Sequence, residues 1–398
     1  MTLETSPGRR AVARRLDEVH VSGIREILEA LTKWSAGGGR PIPFHLGMPD
    51  FDTPVHIKRA LFAAVDAGYV RYTRSKGFPD LLAALARKLE RENGIRTDPE
   101  RNLIATCGAN EAISVTIQAL VDPGDEVILP DPAWPHYEYC IRLAGAIPVP
   151  CPLQESRGFA IDPEDVRARF SSRTRMVIIN SPHNPTGAVM PREEIAAIAR
   201  LAQDRGAWLL SDEAYERILY EGEHVSPASL PGFEDTVLTV GCLSKTYAMT
   251  GWRLGYLAGP ARVIDAANRV HLYTVSCATS FVQKAAIAAL DGDQTPVTLM
   301  VTEYRRRRDV AVSLLREIRG VSVLTPPGAF YLFPNVRALG VPSKTLAMRL
   351  VEEVGVGAVH GSAFGAAGEG YLRIAYCCAT EDIQEGVRRM KTVLDTLS

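Results

Sequence analysis

The chain has 398 residues, with 45 Lys+Arg against 46 Asp+Glu, 46% hydrophobic and 23% charged residues. This near-neutral balance, without a basic run, argues against a nucleic-acid or anionic-membrane partner, and no apolar stretch approaches the roughly 20 residues that span a bilayer. Arg9, Arg10, Arg14 and Arg15 are followed by Asp17 and Glu18 rather than by an apolar core, so the start does not read as a signal peptide. The 7 cysteines are odd in number and include no CxxC, which reads as free thiols of a reducing cytoplasm. No HExxH or tight His/Cys cluster points to a metal.

In chain order, residues 1–35 read as a polar, helix-prone arm that ends in Gly37-Gly38-Gly39, and 42–47 as an extended segment entering the turn Met48-Pro49-Asp50-Phe51. Residues 81–91 have helical spacing with one charged face. Short apolar strands are expected at 102–106, 126–129, 176–180, 208–210 and 237–240, with helices between most of them. Strands alternating with helices predict an α/β fold, a doubly wound and mainly parallel sheet covered on both faces. A long helix at 296–318 is followed by strand, helix, strand, strand, helix, the pattern of a smaller α+β domain. The expected division is 1–50 for the arm and part of the small domain, 51–290 for the large domain, and 291–398 for the rest of the small domain. The run 305–308 of four arginines reads as a solvated helix face, and 365–370 as a surface turn.

Ligands of open parallel sheets bind beyond the carboxyl ends of the strands, so the residues after each strand matter most. After 102–106 come Gly108, Ala109 and Asn110, a strand-to-helix turn suited to a phosphate. Trp134 follows the next strand and offers a face for ring stacking; alone it reads as packing. Asn184 follows 176–180, and Asp212 and Tyr215 follow 208–210. Asp212 alone reads as a helix N-cap, but at a strand end its carboxylate suits a pyridine N–H. Asn184 and Tyr215 are placed to meet the ring's phenolic oxygen. Ser244, Lys245 and Arg253 follow 237–240; a lysine buried among cations becomes a nucleophilic amine, and Arg253 suits a phosphate.

The runs Asn180-Ser181-Pro182-His183-Asn184-Pro185-Thr186-Gly187, Asp212-Glu213-Ala214-Tyr215 and Ser244-Lys245-Thr246-Tyr247-Ala248-Met249-Thr250-Gly251-Trp252-Arg253 resemble those of the class I/II aminotransferases of the aspartate aminotransferase fold. The resemblance extends from Gly47 to Tyr376. It implies a pyridoxal 5′-phosphate enzyme in which Lys245 holds the cofactor as a Schiff base and Asp212 meets the pyridine nitrogen. It places Asn184 and Tyr215 on the phenolate oxygen, Trp134 over the ring, and Gly108, Ala109, Asn110, Ser244 and Arg253 on the phosphate. Arg373, with Gly47, Asn184 and Trp134, would bind the substrate α-carboxylate. Tyr72 would reach the phosphate of a neighbouring subunit, which implies a homodimer with shared sites. Ping-pong transfer from an L-amino acid to a 2-oxo acid is the implied reaction, with aspartate and 2-oxoglutarate-type substrates. Arg74 and Lys76 beside Tyr72, supplied from the partner subunit, or His271 and Tyr273, are candidate side-chain selectors; each reads equally as an exposed loop residue.

Three positions depart from the family's usual residues: Met48, Cys242 and the tripeptide Cys107-Gly108-Ala109. They leave cofactor affinity and substrate choice open. The same fold also hosts β-lyases, decarboxylases, synthases and amino-acid oxidases, and non-catalytic regulators fused to a DNA-binding module. A helix-turn-helix pattern is missing from the short stretch before Gly47, which weighs against the regulator.

Overall fold

The computed structural model describes residues 12–397; Arg9, Arg10 and the beginning of the N-terminal arm lie outside the described residues. Ten strands form two sheets. Seven belong to the larger: β1 (Leu103–Thr106), β2 (Glu126–Asp131), β3 (Ile147–Pro152), β4 (Thr174–Asn180), β5 (Trp208–Asp212), β6 (Val237–Cys242) and β7 (Gly255–Ala258), in spatial order β1-β7-β6-β5-β4-β2-β3. All pairings from β3 through β6 are parallel, and β7 runs antiparallel between β1 and β6.

The winding on both faces is visible in a single strand. Met176 and Ile178 of β4 pack into one cluster with Ile113 and Ile117 of the helix Gly108–Leu120, whereas Val177 and Ile179 pack oppositely with Ile195 and Ile198 of the helix Arg192–Asp204. Side chains alternate across a strand, so a continuous apolar run is what a strand covered on both sides requires.

Two strands were not expected from the sequence. β3 carries Pro148, Pro150 and Pro152, and proline cannot donate to a ladder; it is tolerated because β3 is an edge strand paired only with β2. β7 is four residues long, too short for a clear period, and gains its identity from pairing on both sides.

The second sheet joins β8 (Tyr331–Leu332), β9 (Val359–His360) and β10 (Leu372–Ala375) in the order β8-β10-β9, packed with the helices Thr295–Leu315, Ser343–Val354 and Thr380–Leu394. The N-terminal part of the chain returns to this unit. The helix Gly23–Ser35, begun by Ser22 accepting from Ile24 N–H at 3.3 Å, buries Ile27 and Leu31 and packs against Ser343–Val354. Ile42 bridges Val356, and Phe44 O accepts from Ala375 N–H at 2.8 Å. This anchors 42–47 so that Gly47 faces the larger sheet. No helix among the described residues is long and apolar enough to cross a membrane.

One surface reading is corrected. Arg307 and Arg308 do not lie on a solvated face: both are buried. Arg307 Nη1 reaches both Asp50 oxygens at 2.8 and 2.9 Å, and Arg308 Nη1 reaches Glu221 at 3.0 Å and Pro326 O at 2.9 Å. These are arginines held by satisfied ion pairs between the long helix and two loops. The 365–370 turn does reach the surface, with Ala366 and Glu369 exposed, but it is tied down. Asp131, at the end of β2, accepts from Ala367 N–H at 3.1 Å, and Glu369 accepts Ser343 N–H at 2.7 Å.

Candidate active site

One cavity opens at the carboxyl ends of β2, β4, β5 and β6 and is closed from the other side by Leu46, Gly47, Tyr331 and Arg373. Ala109, Asn110, Trp134, Asn184, Asp212, Tyr215, Ser244, Lys245 and Arg253 line it. Gly108 lies beside it, with φ +79° in the left-handed region, and an added Cβ would come within 2.5 Å of Arg253 Nη2. The turn therefore needs glycine both for its backbone and to let the guanidinium approach.

Asp212 closes β5. Its Oδ2 accepts from Tyr137 OH at 2.6 Å and its Oδ1 from Ala214 N–H at 3.0 Å. Burial, opposed by these hydrogen bonds, pushes the carboxyl up from 3.8 to about 6. A raised acid contributes stability that is complete below pH 3.8 and is lost as pH rises through about 6. That displacement corresponds to on the order of 3 kcal/mol for the ligand-free protein. Asp212→Asn does not titrate, so its melting temperature should gain on wild type between pH 5 and pH 8. A gap between the two proteins that stays constant over that range would remove the burial argument.

Lys245 lies in the four-residue helix Leu243–Thr246 directly after β6. Its Nζ donates to Gly47 O at 2.6 Å, and burial, aided by Arg373 and Arg253, holds the amine below the ordinary lysine range. Gly47 has to be small: a Cβ there would meet Tyr331 Oη at 2.2 Å.

Arg373 of β10 is only 1% exposed. Nη2 donates to His45 O at 2.5 Å and Nη1 to Asn184 Oδ1 at 3.3 Å, while Nε is buried with no partner among the described residues. Tyr331 and Phe364 lie against its guanidinium, with ring centres at 4.7 and 4.9 Å. A guanidinium so enclosed retains donor capacity for an anion brought into the cavity.

Sequence reasoning missed three cavity residues. Tyr137 holds Asp212, Tyr331 shares a 2.8 Å hydrogen bond with Tyr215, and His45 has both ring nitrogens buried without partners. Burial and Arg373 keep His45 neutral, with its pKa down to about 4. Tyr137 is three residues after Trp134, in the first turn of the helix His136–Leu143 that follows it, which was an available signal; Tyr331 is joined to Tyr215 only by the fold.

Of the candidate selectors, His271 and Tyr273 do not line this cavity, and Tyr72, Arg74 and Lys76, expected at a neighbouring subunit's site, lie outside it as well. His271 is buried elsewhere, with Nδ1 2.7 Å from Glu111 Oε1, and so does not line the site. Tyr273 is 89% and Tyr72 90% exposed. Arg74 and Lys76 make surface ion pairs with Glu100 and Asp265.

The sequence model described as "Aminotransferase class I and II" matches residues 41–390. The chain belongs to the class I and II aminotransferases. An aspartate aminotransferase of Pyrococcus abyssi is 38% identical, over 96% of this chain and 98% of that protein. The aromatic-amino-acid aminotransferase 2 of Thermococcus litoralis is also 38% identical, with the same coverage of each. Among solved structures, the aspartate aminotransferase of Thermus thermophilus with maleate superposes with a TM-score of 0.92 at 37% identity, covering 97% of this chain and all of that one. This aminotransferase is therefore similar over nearly its whole length to proteins named for aspartate and for aromatic amino acids.

Proposed function

We propose that this aminotransferase uses pyridoxal 5′-phosphate, bonded through its aldehyde carbon to Lys245, to move an amino group from an L-amino acid to a 2-oxo acid in a ping-pong cycle. The carrying observation is the convergence of Lys245 Nζ, the Asp212 carboxylate and the Arg373 guanidinium on one cavity. The residues present fit that group. Asp212 is a buried anion in want of a cationic N–H, and the missing Cβ of Gly108 lets the Arg253 guanidinium come close to a helix N-terminus, a pairing that suits a phosphate. The N–H groups of Gly108, Ala109 and Asn110, with Ser244 and Arg253, would hold the phosphate. Trp134 would stack on the ring, and Asn184 and Tyr215 would hydrogen-bond its phenolate oxygen.

When bound, the cofactor supplies a conjugated sink for the electron pair left at the substrate α-carbon. Asp212 would hold the ring's N–H and so maintain that sink. Arg373 takes the substrate α-carboxylate in a two-pronged contact, with Gly47, Asn184 and Trp134 beside it, and so aims the α-hydrogen. The Lys245 amine would take the proton from the substrate α-carbon and hold it for return within the cavity. Its lowered pKa leaves more of it unprotonated and able to accept.

A homodimer with shared sites is supported by exposed apolar groups near Tyr72. Phe62, Val70, Leu272 and Tyr273 are all exposed, and Thr73 N–H lies 3.5 Å from Cys277 Sγ, which joins the two segments that carry them. Tyr72 would then reach the partner's phosphate. Seven free cysteines favour a reducing cytoplasm.

Aspartate and 2-oxoglutarate-type substrates are the reading supported by the names of the aspartate aminotransferases and by maleate, a dicarboxylate, with one of them. Within this cavity Lys245, Arg253 and Arg373 already have roles, so Arg74 of a neighbouring protomer is the candidate for the distal carboxylate. A panel of amino donors and keto acceptors tests this. Aspartate should lead, and Arg74→Ala should raise its KM by about tenfold, as loss of a charge-assisted contact does. Aromatic donors leading, with Arg74→Ala silent, would replace the dicarboxylate reading with an aromatic one.

A further inference from the structure

We infer that Glu111 and His271 form a buried strut that fixes the phosphate-binding turn, and Arg253 with it; this rests on the cofactor reading above. Glu111 is on the first turn and a half of the helix Gly108–Leu120, and His271 is near the end of the helix Ala261–Thr274, which packs along it. Glu111 Oε2 accepts the Cys107 N–H at 2.5 Å, and Oε1 lies 2.7 Å from His271 Nδ1. A carboxylate only accepts, so Nδ1 carries the hydrogen. His271 is fully buried, and its Nε2 has no partner among the described residues, so Glu111 is its one side-chain tether there.

The consequence runs through a single residue. With its amide turned back onto Glu111, Cys107 does not offer that N–H to the cavity, and the N–H groups of Gly108, Ala109 and Asn110 are the ones left to converge there. The Cys107 carbonyl accepts from Arg253 Nη2 at 3.4 Å, while Arg253 Nη1 is held by Thr250 O at 3.0 Å. Cys107 is thus gripped by Glu111 at its nitrogen and by Arg253 at its oxygen. Shifting the first grip displaces both sets of phosphate donors, the helix N-terminus and the guanidinium.

A plain helix cap would make a narrower prediction. It would stabilise the helix and weaken every ligand of the cavity alike when removed. A strut for the phosphate turn discriminates between ligands with and without a phosphate. Glu111 and His271 are positioning residues, since they act on the cofactor only through Cys107 and Arg253.

The test is titration of the cofactor-free protein with pyridoxal 5′-phosphate and, separately, with pyridoxal, followed by absorbance. Glu111→Leu should raise the Kd for the phosphorylated ligand about tenfold or more while leaving that for pyridoxal within about twofold, as expected when a buried acceptor is lost at the phosphate end alone. Glu111→Gln keeps an acceptor for the Cys107 N–H and should recover most of the loss. If Glu111→Leu does not fold, His271→Leu carries the test, with a phosphate-selective loss of about threefold or more. Equal losses for the two ligands, or none for either, would overturn the strut. Wild-type protein that binds neither ligand would instead overturn the cofactor reading.

Discussion

Lys245→Ala should lower transamination by at least about a thousandfold, because it removes both the covalent tether and the group that shuttles the proton. The variant should still bind pyridoxal 5′-phosphate, since the phosphate donors, Asp212 and Trp134 are untouched. The loss should lie in kcat rather than in KM, because the missing group acts on the reacting carbon and not on the substrate's ends. Added small amines should restore part of the rate, by carrying the proton in the space the side chain leaves. A variant within about tenfold of wild type would show that another base does this work. Tyr215 is a poor candidate for it, since burial pushes its hydroxyl well above its ordinary range, and a residual rate would point to His45, the neutral imidazole that also lines the cavity.

Arg373→Lys is the second large effect, and its sign pattern is the opposite. The guanidinium is fully enclosed by Tyr331, Phe364, Asn184 and the His45 carbonyl. A lysine there keeps the charge but gives up the planar fork, and it cannot satisfy both oxygens of a carboxylate while holding Asn184 and His45 O. KM for the amino acid should rise by about 10- to 100-fold, the range expected when one charge-assisted hydrogen bond of a pair is lost in a buried site. A smaller fall in kcat should accompany it, because a loosened carboxylate no longer aims the α-hydrogen at Lys245. An unchanged KM would remove Arg373 from the carboxylate role. Because Asn184 Oδ1 accepts from Arg373 Nη1, Asn184 and Arg373 substitutions should not be additive.

The sequence carried much of this site because its parts fall at the ends of successive strands. Asp212, Asn184 and Lys245 each follow a short apolar run, and the geometry of a parallel sheet brings those ends together whatever the loops do. The parts that stayed hidden depend on contacts between distant segments. Tyr331 meets Tyr215 across 116 positions, and His271 meets Glu111 across 160. A histidine near the end of a helix looks the same in sequence whether it faces a cavity or a buried carboxylate, and only the fold shows that His271 meets Glu111. Arg307 and Arg308 illustrate the same limit for charge. Four consecutive arginines look like a solvated face, but a helix turns through 100° per residue, so two of them must point elsewhere; here they meet Asp50 and Glu221. The proline-bearing β3 was concealed for a different reason, since its residues contradict strand propensity and only its place at the sheet edge permits them.

The most direct measurement is borohydride reduction of the protein loaded with pyridoxal 5′-phosphate, followed by proteolysis and peptide mass analysis. A reduced adduct on the peptide that contains Lys245, and its loss in Lys245→Ala, is the predicted result. No adduct, or one confined to another lysine, would contradict the account.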